Sequence, residues 1–379
     1  MQNTSPILIV GAGFAGAVYG RELAEAGYQV KIIDQRDHIA GNAYDAVDNN
    51  GVRVHKYGPH LFHTSNKKVF DWISQFGEMI PYRHSAQARL GDGNHVPLPI
   101  NRETLEVLFD KKLTSQADVE ALLASQALQI EVPKNASEYL LSRIGTTLTD
   151  LFFRPYTRKM WGMELEDMDT SVVKRIPIRT DYSRDYFPED SFQVLPKNGY
   201  TALFRTILDH PNINVTLNTT FDKAMLTGAR WCFNAMAIDD YFDQCFGELP
   251  YRSIRFHNET RALDTVSGAA VVNYTDTGPF TRETRWGLLP GHVTLPNAQT
   301  TVTIEEPCSY QDNNYERYYP VKTADGRYQD VYQKYADAAA KIDGISFIGR
   351  CGTYQYLDMH QVINQSLIQC HKWIEIDSK

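Results

Sequence analysis

Ile7-Leu8-Ile9-Val10-Gly11-Ala12-Gly13-Phe14-Ala15-Gly16 opens the decisive stretch of this chain, which closes at Asp34, 18 residues beyond Gly16. Four aliphatic residues in a row read as a parallel strand buried on both faces. A glycine loop follows, then a helix carrying Ala17, Leu23 and Ala24 that ends at Gly27, then a second strand over 29–33. Gly11 allows the tight turn, Gly13 lets backbone approach a pyrophosphate, and Gly16 lets helix and strand pack closely. Phe14 and Ala15 begin the helix, whose free N–H groups and positive dipole end suit phosphate. Asp34 stands where a carboxylate accepts from ribose hydroxyls. Beyond Asp34 come Gln35 and Arg36, then a small-residue loop reaching Gly41 and Asn42. Such a loop brings a second backbone segment to the pyrophosphate, which points to FAD rather than NAD.

Working outward, 379 residues suffice for two to three domains, and 42% apolar with 22% charged residues is ordinary globular composition. Net charge is 38 − 46 = −8. That balance argues against nucleic-acid binding, so an anionic ligand must be met by local arginines. Five cysteines (Cys232, Cys245, Cys308, Cys351, Cys370) lack CxxC spacing. Neither a zinc site nor a disulfide framework is expected, and a reducing cytoplasm fits. No signal peptide and no apolar run long enough to insert in a membrane is read.

Residues 43–64 read as β-structure, 101–165 as helical, and 250–305 as an antiparallel sheet with alternating patterning, as in 269–274 and 300–304. The last fifty residues return to α/β: a strand at 345–348, Gly349-Arg350, and a helix from Met359 to about Trp373 with Asp358 as its cap. The expected fold class is therefore α/β. A discontinuous FAD-binding Rossmann-like domain (1–80, 195–245, 340–379) carries an inserted helical domain (100–180). An antiparallel β-sheet substrate domain (81–99, 181–194, 246–339) completes it.

Several ordered motifs carry a resemblance beyond the glycine loop. They are His38 to Tyr44, Tyr57-Gly58-Pro59-His60-Leu61-Phe62-His63-Thr64, Tyr156-Thr157-Arg158-Lys159-Met160-Trp161-Gly162, and Lys174-Arg175-Ile176-Pro177-Ile178-Arg179. Thr281-Arg282, Tyr318-Tyr319-Pro320-Val321 and Tyr356-Leu357-Asp358-Met359-His360-Gln361 complete the set. Over essentially its whole length the chain resembles the bacterial UDP-galactopyranose mutase family. The resemblance implies an isomerase in which reduced FAD is a nucleophile. Flavin N5 attacks the anomeric carbon, the nucleoside diphosphate leaves, and the flavin–sugar adduct opens, recloses through another hydroxyl and recaptures the nucleotide with no net redox change. It also implies a homodimer that supplies furanose donors for surface glycans.

By the same resemblance, Arg175 and Arg282 are diphosphate-binding and catalytic. Planar guanidinium forks are suited to stabilise charge on a departing diphosphate. Tyr186, Tyr319 and Tyr356 contact diphosphate or line the sugar site; Phe152 and Tyr156 hold the base, sharing a helical face at a spacing of four. Trp161, His84 and Asn273 complete the substrate set. His60, Leu61 and catalytic His63 lie beside the flavin with Arg350, Tyr356, catalytic Asp358 and Met359. Two histidines without further ligands at suitable spacing give no reason to expect a metal. Residues 168–179 resemble the family's mobile loop, which carries Arg175 inward.

The chain departs from the family pattern at Ala40 (a glycine there), Phe70 (tryptophan), His84 (asparagine), Lys197-Asn198-Gly199-Tyr200 (Gly-Gly-Tyr), Leu357 (tyrosine) and 275–281, which is one residue short. These changes leave the sugar and base open among UDP-galactose, dTDP-fucose and UDP-N-acetylgalactosamine. Two other classes share the dinucleotide domain: amine-oxidase-type flavoenzymes and the escort proteins of prenylated GTPases.

Overall fold

A computed structural model describes residues 5–174, 176–295 and 298–378. Strand Ile7–Val10, helix Phe14–Glu25 and strand Val30–Ile33 form where the sequence places them. Gly16 shows why glycine is required: a Cβ there would sit 1.9 Å from the Gly11 carbonyl oxygen. The sheet they begin has five parallel strands in the order Ile213–Thr216, Val30–Ile33, Ile7–Val10, Trp231–Asn234, Ile345–Phe347. Its strands come from widely separated parts of the chain. Helix Phe14–Glu25 packs against the C-terminal helix Met359–Asp377, joining Val18, Leu23 and Ile363 to Ile7 and Ile9 in one core. Each such fully buried aliphatic side chain contributes about 1.5–3 kcal/mol.

The second sheet has seven strands in the order Tyr319–Pro320, Tyr251–Ala262, Gln299–Ser309, Arg282–Arg285, Val271–Tyr274, Ala86–Arg89, His95–Leu98. All neighbours are antiparallel except Val271–Tyr274 with Ala86–Arg89. One expectation changes here. Thr300 to Glu305 are buried on both faces, not alternately: Trp286 packs on the face that carries Thr303, its Nε1–H donating to Thr303 Oγ1 at 2.6 Å, and Ile304 packs with Val272 and Tyr274 on the other.

The helical stretch is also more broken than its composition suggests. Helices Arg102–Phe109, Gln116–Gln126 and Ala136–Leu148 are followed by a π-helical turn, Thr149–Phe153, and a short helix, Arg154–Trp161. Gly145, at φ +72°, kinks the third helix where a Cβ would strike the Gln126 carbonyl oxygen. Pro155 has no N–H for the carbonyl four residues back, so the ladder shifts register just before it. A small sheet of Phe62–Thr64, Phe192–Pro196 and Met79–Pro81 sets His63 opposite Gln193. Among the described residues no helix is long and apolar enough to cross a membrane.

Candidate active site

One rung of the seven-stranded sheet builds a polar wall. Ala88, Asn273, Arg282 and Glu305 are successive register partners across four strands, so their side chains leave the same face. Arg282 Nη2 donates to the Tyr156 hydroxyl at 3.1 Å, and its Nη1 lies 3.7 Å from the Glu305 carboxylate, an ion pair beyond hydrogen-bond length. Glu305 is 2% exposed. Burial pushes its carboxyl above the usual range, and the Arg282 charge only partly opposes that.

The helix Arg154–Trp161 faces this wall. Its last carbonyls are capped from the sheet: Arg252 Nε donates to Met160 O and Nη2 to Lys159 O, both at 3.1 Å, and the Tyr319 hydroxyl donates to Met160 O. Lys159 binds in the other direction, donating to the carbonyls of Tyr274, Asp276 and Phe280 at 2.7–2.8 Å. The turn before Arg282 and the helix bearing Tyr156 and Trp161 are thereby tied together. Phe152 lies in the π turn and Tyr156 in the helix after it, so their spacing of four spans a change of helix type.

The glycine loop forms the opposite part of the site. The Asp34 carboxylate accepts from the backbone N–H groups of Ala12 (2.7 Å) and Arg36 (2.9 Å), which draws the loop against the second strand. Ala40 N–H donates to Ala12 O at 2.9 Å, and a Cβ on Gly41 would lie 2.9 Å from Gly13 Cα. The second backbone segment thus lies directly on the first. From the C-terminal crossing, Gly349 (φ +70°) approaches Ala15 closely, and the Arg350 guanidinium lies 4.9 Å from the Tyr356 ring centroid. Asp358 opens the C-terminal helix, its N–H donating to the Gln361 side-chain oxygen at 2.9 Å.

Three histidines line the site, and for His60 and His63 the partners fix which nitrogen carries the proton. His60 Nδ1–H donates to Gly58 O at 2.9 Å, leaving Nε2 as an acceptor; burial lowers its pKa to about 4. Its backbone N–H is held by His55 Nδ1 (3.1 Å), whose Nε2–H then donates to His292 Nε2 (3.2 Å), with His292 Nδ1–H on Pro290 O. His84 is buried, its pKa lowered to about 3 by burial and then by Arg282, with Nδ1 3.3 Å from the Tyr82 hydroxyl. His63 stacks on Phe187 at 3.6 Å between centroids, and its Nδ1 lies 2.6 Å from Asp190 Oδ2.

These parts enclose one cavity of about 850 Å³. Of the residues singled out from the sequence, Gly11, Gly13, Phe14, Ala15, Arg36, Asn42, His60, Leu61, Arg350, Asp358 and Met359 line it, as do His63, His84, Phe152, Tyr156, Trp161, Tyr186, Asn273, Arg282 and Tyr356. Gly16, Asp34, Gln35 and Gly41 support the wall without forming it, and Gln35 is exposed. Tyr319 stands apart from the expectation: it is 1% exposed, caps the helix and packs on Trp161, and its neighbour Tyr318 lines the cavity. Arg175 lies outside the described residues. Glu305, Phe187, Asp190 and Tyr318 were not singled out; a buried glutamate opposite Arg282 was findable only with the strand register in hand.

The donor set fits a dinucleotide and a second anionic ligand. Five of the buried polar atoms without a hydrogen-bond partner among the described residues belong to residues lining this cavity: Asn273 Oδ1, Arg282 Nε, Glu305 Oε1, Arg317 Nε and Arg350 Nε. Such groups are costly unless a ligand engages them. Among the described residues no group of three or more His, Cys, Asp or Glu could hold a metal ion.

Comparison with known proteins agrees in both halves. Residues 9–76 match the NAD(P)-binding Rossmann-like domain and residues 151–356 the UDP-galactopyranose mutase domain. The chain is 37% identical to a probable UDP-galactopyranose mutase of Klebsiella pneumoniae, covering 96% of this chain and 94% of that one. It is 36% identical to a dTDP-fucopyranose mutase of Escherichia coli, covering 96% and 97%. In fold it is similar to a crystal structure of reduced UDP-galactopyranose mutase, with TM-score 0.76 at 17% identity and 98% and 96% coverage. With a dinucleotide cradle and an arginine-bearing sheet rung on one cavity, and with relatives this similar over nearly its full length, the chain belongs to the UDP-galactopyranose mutase family of isomerases.

Proposed function

We propose that this protein is a flavin-dependent mutase that interconverts the pyranose and furanose forms of a nucleotide-linked galactose-type sugar, UDP-galactose first among them, to supply furanose donors for surface glycans. The observation that carries this is a single cavity joining the Gly11–Gly13 and Ala40–Asn42 cradle to the Arg282–Tyr156 pair. The cradle, Arg36 and Arg350 would hold FAD. When bound and reduced, that cofactor supplies a nucleophilic nitrogen toward the anomeric carbon.

The chain's own residues do the rest. Phe152 and Tyr156 present ring faces and edges to a pyrimidine, and Arg282 places a permanent charge where the diphosphate leaves. Arg175, on the segment 168–179, is the second guanidinium of this reading, and closure of that segment would exclude water. The neutral His60 and His84 offer acceptors without repelling Arg282. The helix opening at Asp358 directs its positive end toward a flavin carrying negative charge. The three-part domain division, a cytoplasmic location and a homodimer belong to the same reading.

The 36% identity to a dTDP-fucopyranose mutase and the imidazole of His84 at the sugar end support a second substrate, dTDP-fucose, with UDP-N-acetylgalactosamine third. The test is an HPLC assay of all three nucleotide sugars with oxidised and dithionite-reduced protein. The expected result is a yellow protein, inactive when oxidised, that turns over without net consumption of reductant. Equal turnover by oxidised enzyme would overturn the reading.

A further inference from the structure

We propose that Asp190 is a positioning residue: it fixes the tautomer and ring plane of His63, so that this histidine meets the hexose through Nε2 alone. The inference rests on the mutase reading and adds to it a residue that neither the glycine cradle nor the arginine rung supplies.

The geometry is specific. Asp190 Oδ2 lies 2.6 Å from His63 Nδ1, and the pair is only 12% (His63) and 20% (Asp190) exposed. A carboxylate accepts and does not donate, so Nδ1 carries the proton in either charge state of the ring. No other hydrogen bond reaches the imidazole from the described residues, which leaves Nε2 to the cavity that both side chains line. Ring orientation is set twice more: Phe187 is parallel to the imidazole, at 6° between planes, and His360 meets its edge at 5.0 Å between centroids.

The loop that carries Asp190 is itself fixed. Gln193, opposite His63 in the small sheet, donates Nε2–H to Asp185 Oδ1 (3.0 Å) and to Phe187 O (2.8 Å). Tyr186, Phe187 and Asp190 are therefore delivered by one turn. Tyr186 and Phe187 also face His84, at 5.3 and 6.0 Å between centroids, which puts the dyad among the residues at the sugar end.

The chemistry asks for such a group. Converting a pyranose to a furanose replaces the C1–O5 bond by a C1–O4 bond. O5 ends with a proton and O4 without one, so one proton moves between two oxygens of the same sugar with no net redox change. An imidazolium whose Nδ1–H is held by Asp190 gives its Nε2 proton to O5 and, then neutral, takes the O4 proton at the same atom, ending as it began. Free choice of tautomer would leave the ring in the unproductive form part of the time.

The experiment compares Asp190→Ala, Asp190→Asn, His63→Gln and the double variant Asp190→Ala/His63→Gln, all loaded with FAD and reduced. Asp190→Ala should lower kcat about ten- to a hundredfold with KM little changed, and Asp190→Asn, which keeps one acceptor, should recover part of it. The double variant should be no slower than His63→Gln alone, because Asp190 acts through His63. Independently of turnover, long-range 1H–15N spectra of histidine-labelled protein should show Nδ1 protonated in the His63 ring, with that signal moving toward the Nε2–H form in Asp190→Ala. A further loss of kcat in the double variant, or an unchanged His63 tautomer in Asp190→Ala, overturns the proposal. Wild-type protein inert toward every nucleotide sugar would instead overturn the mutase reading, and the spectra would still decide the tautomer.

Discussion

Replacing Arg282 by methionine separates what the guanidinium does for the fold from what it does for the reaction. At 3.7 Å from Glu305, and with an effective dielectric constant of about 20, the lost attraction is about 4 kcal/mol. Glu305 has an escape, because it can take up a proton once Arg282 is gone. From the ordinary value of 4.5 to pH 7 this costs about 3 kcal/mol, at 1.36 kcal/mol per pH unit, which caps the loss of stability at neutral pH. The sign follows from the direction of the shift. A carboxyl whose folded-state pKa is raised favours folding most below about pH 4.5 and loses that contribution as pH rises toward its folded value. Arg282→Met should therefore match wild type where Glu305 is protonated in both proteins, and weaken relative to it above the wild-type Glu305 pKa by up to about 1.4 kcal/mol per pH unit, until Glu305 ionises in the variant too. Adding Glu305→Gln should abolish that slope without restoring turnover. In both variants kcat/KM should fall about a hundred- to a thousandfold, the scale of removing a fixed oxyanion donor. Denaturant midpoints at pH 5, 6.5 and 8, beside the HPLC assay, read both quantities. Equal pH slopes in the single and double variants would refute the Arg282–Glu305 account, and near-wild-type turnover would refute the role of Arg282.

Three further outcomes are open to measurement. Ala40 sits at φ +73°, fully buried beside the glycine loop, so Ala40→Gly should raise stability by about 0.5–1 kcal/mol in chemical denaturation and leave substrate preference unchanged. Lys159→Met strands three carbonyl groups and should cost about 2–4 kcal/mol, with a raised KM for nucleotide sugar because the Tyr156 helix and the Arg282 strand lose their tie. His84→Asn should change the ratio of kcat/KM between UDP-galactose and dTDP-fucose at least several-fold, read in one mixed-substrate assay.

The parts legible in the sequence are those fixed by local backbone. Gly11, Gly13, Gly16 and Asp34 lie within a single strand–turn–helix–strand unit, and their spacing alone determines what they must do. The parts that stayed hidden depend on which strands meet. Glu305 faces Arg282 because 282–285 pairs with 299–309 in one register, and a shift of one residue would have turned it to the other face. The pair Tyr318-Tyr319 shows the same limit at its smallest scale. Adjacent residues on an extended segment point to opposite sides, so one tyrosine lines the cavity while the other caps the Tyr156 helix, and the motif alone does not distinguish them.

That distinction also decides which departures from the family pattern bear on the substrate. Phe70 stacks on Phe192 at 4.0 Å in the core beside the small sheet, away from the cavity. In the segment 197–200, the N–H groups of Tyr200 and Thr201 are received by the Asp45 carboxylate, a helix-capping arrangement with no face on the site. The shortened turn 275–281 is gathered by Lys159, and its one cavity residue, Thr275, directs its hydroxyl to the Arg89 carbonyl. Ala40 and Leu357 do line the cavity, but beside the glycine loop and Asp358, where a cofactor and not a sugar is expected. His84 remains. It alone exchanges an amide for a neutral ring at the end where Tyr186, Phe187 and Arg282 converge, and the ring's second nitrogen is not engaged by Tyr82. On the proposed mutase reading, choice between sugars differing at one hydroxyl or one acetyl group is therefore expected to fall on His84, because the other departures named are taken up by packing, by capping or beside the expected cofactor.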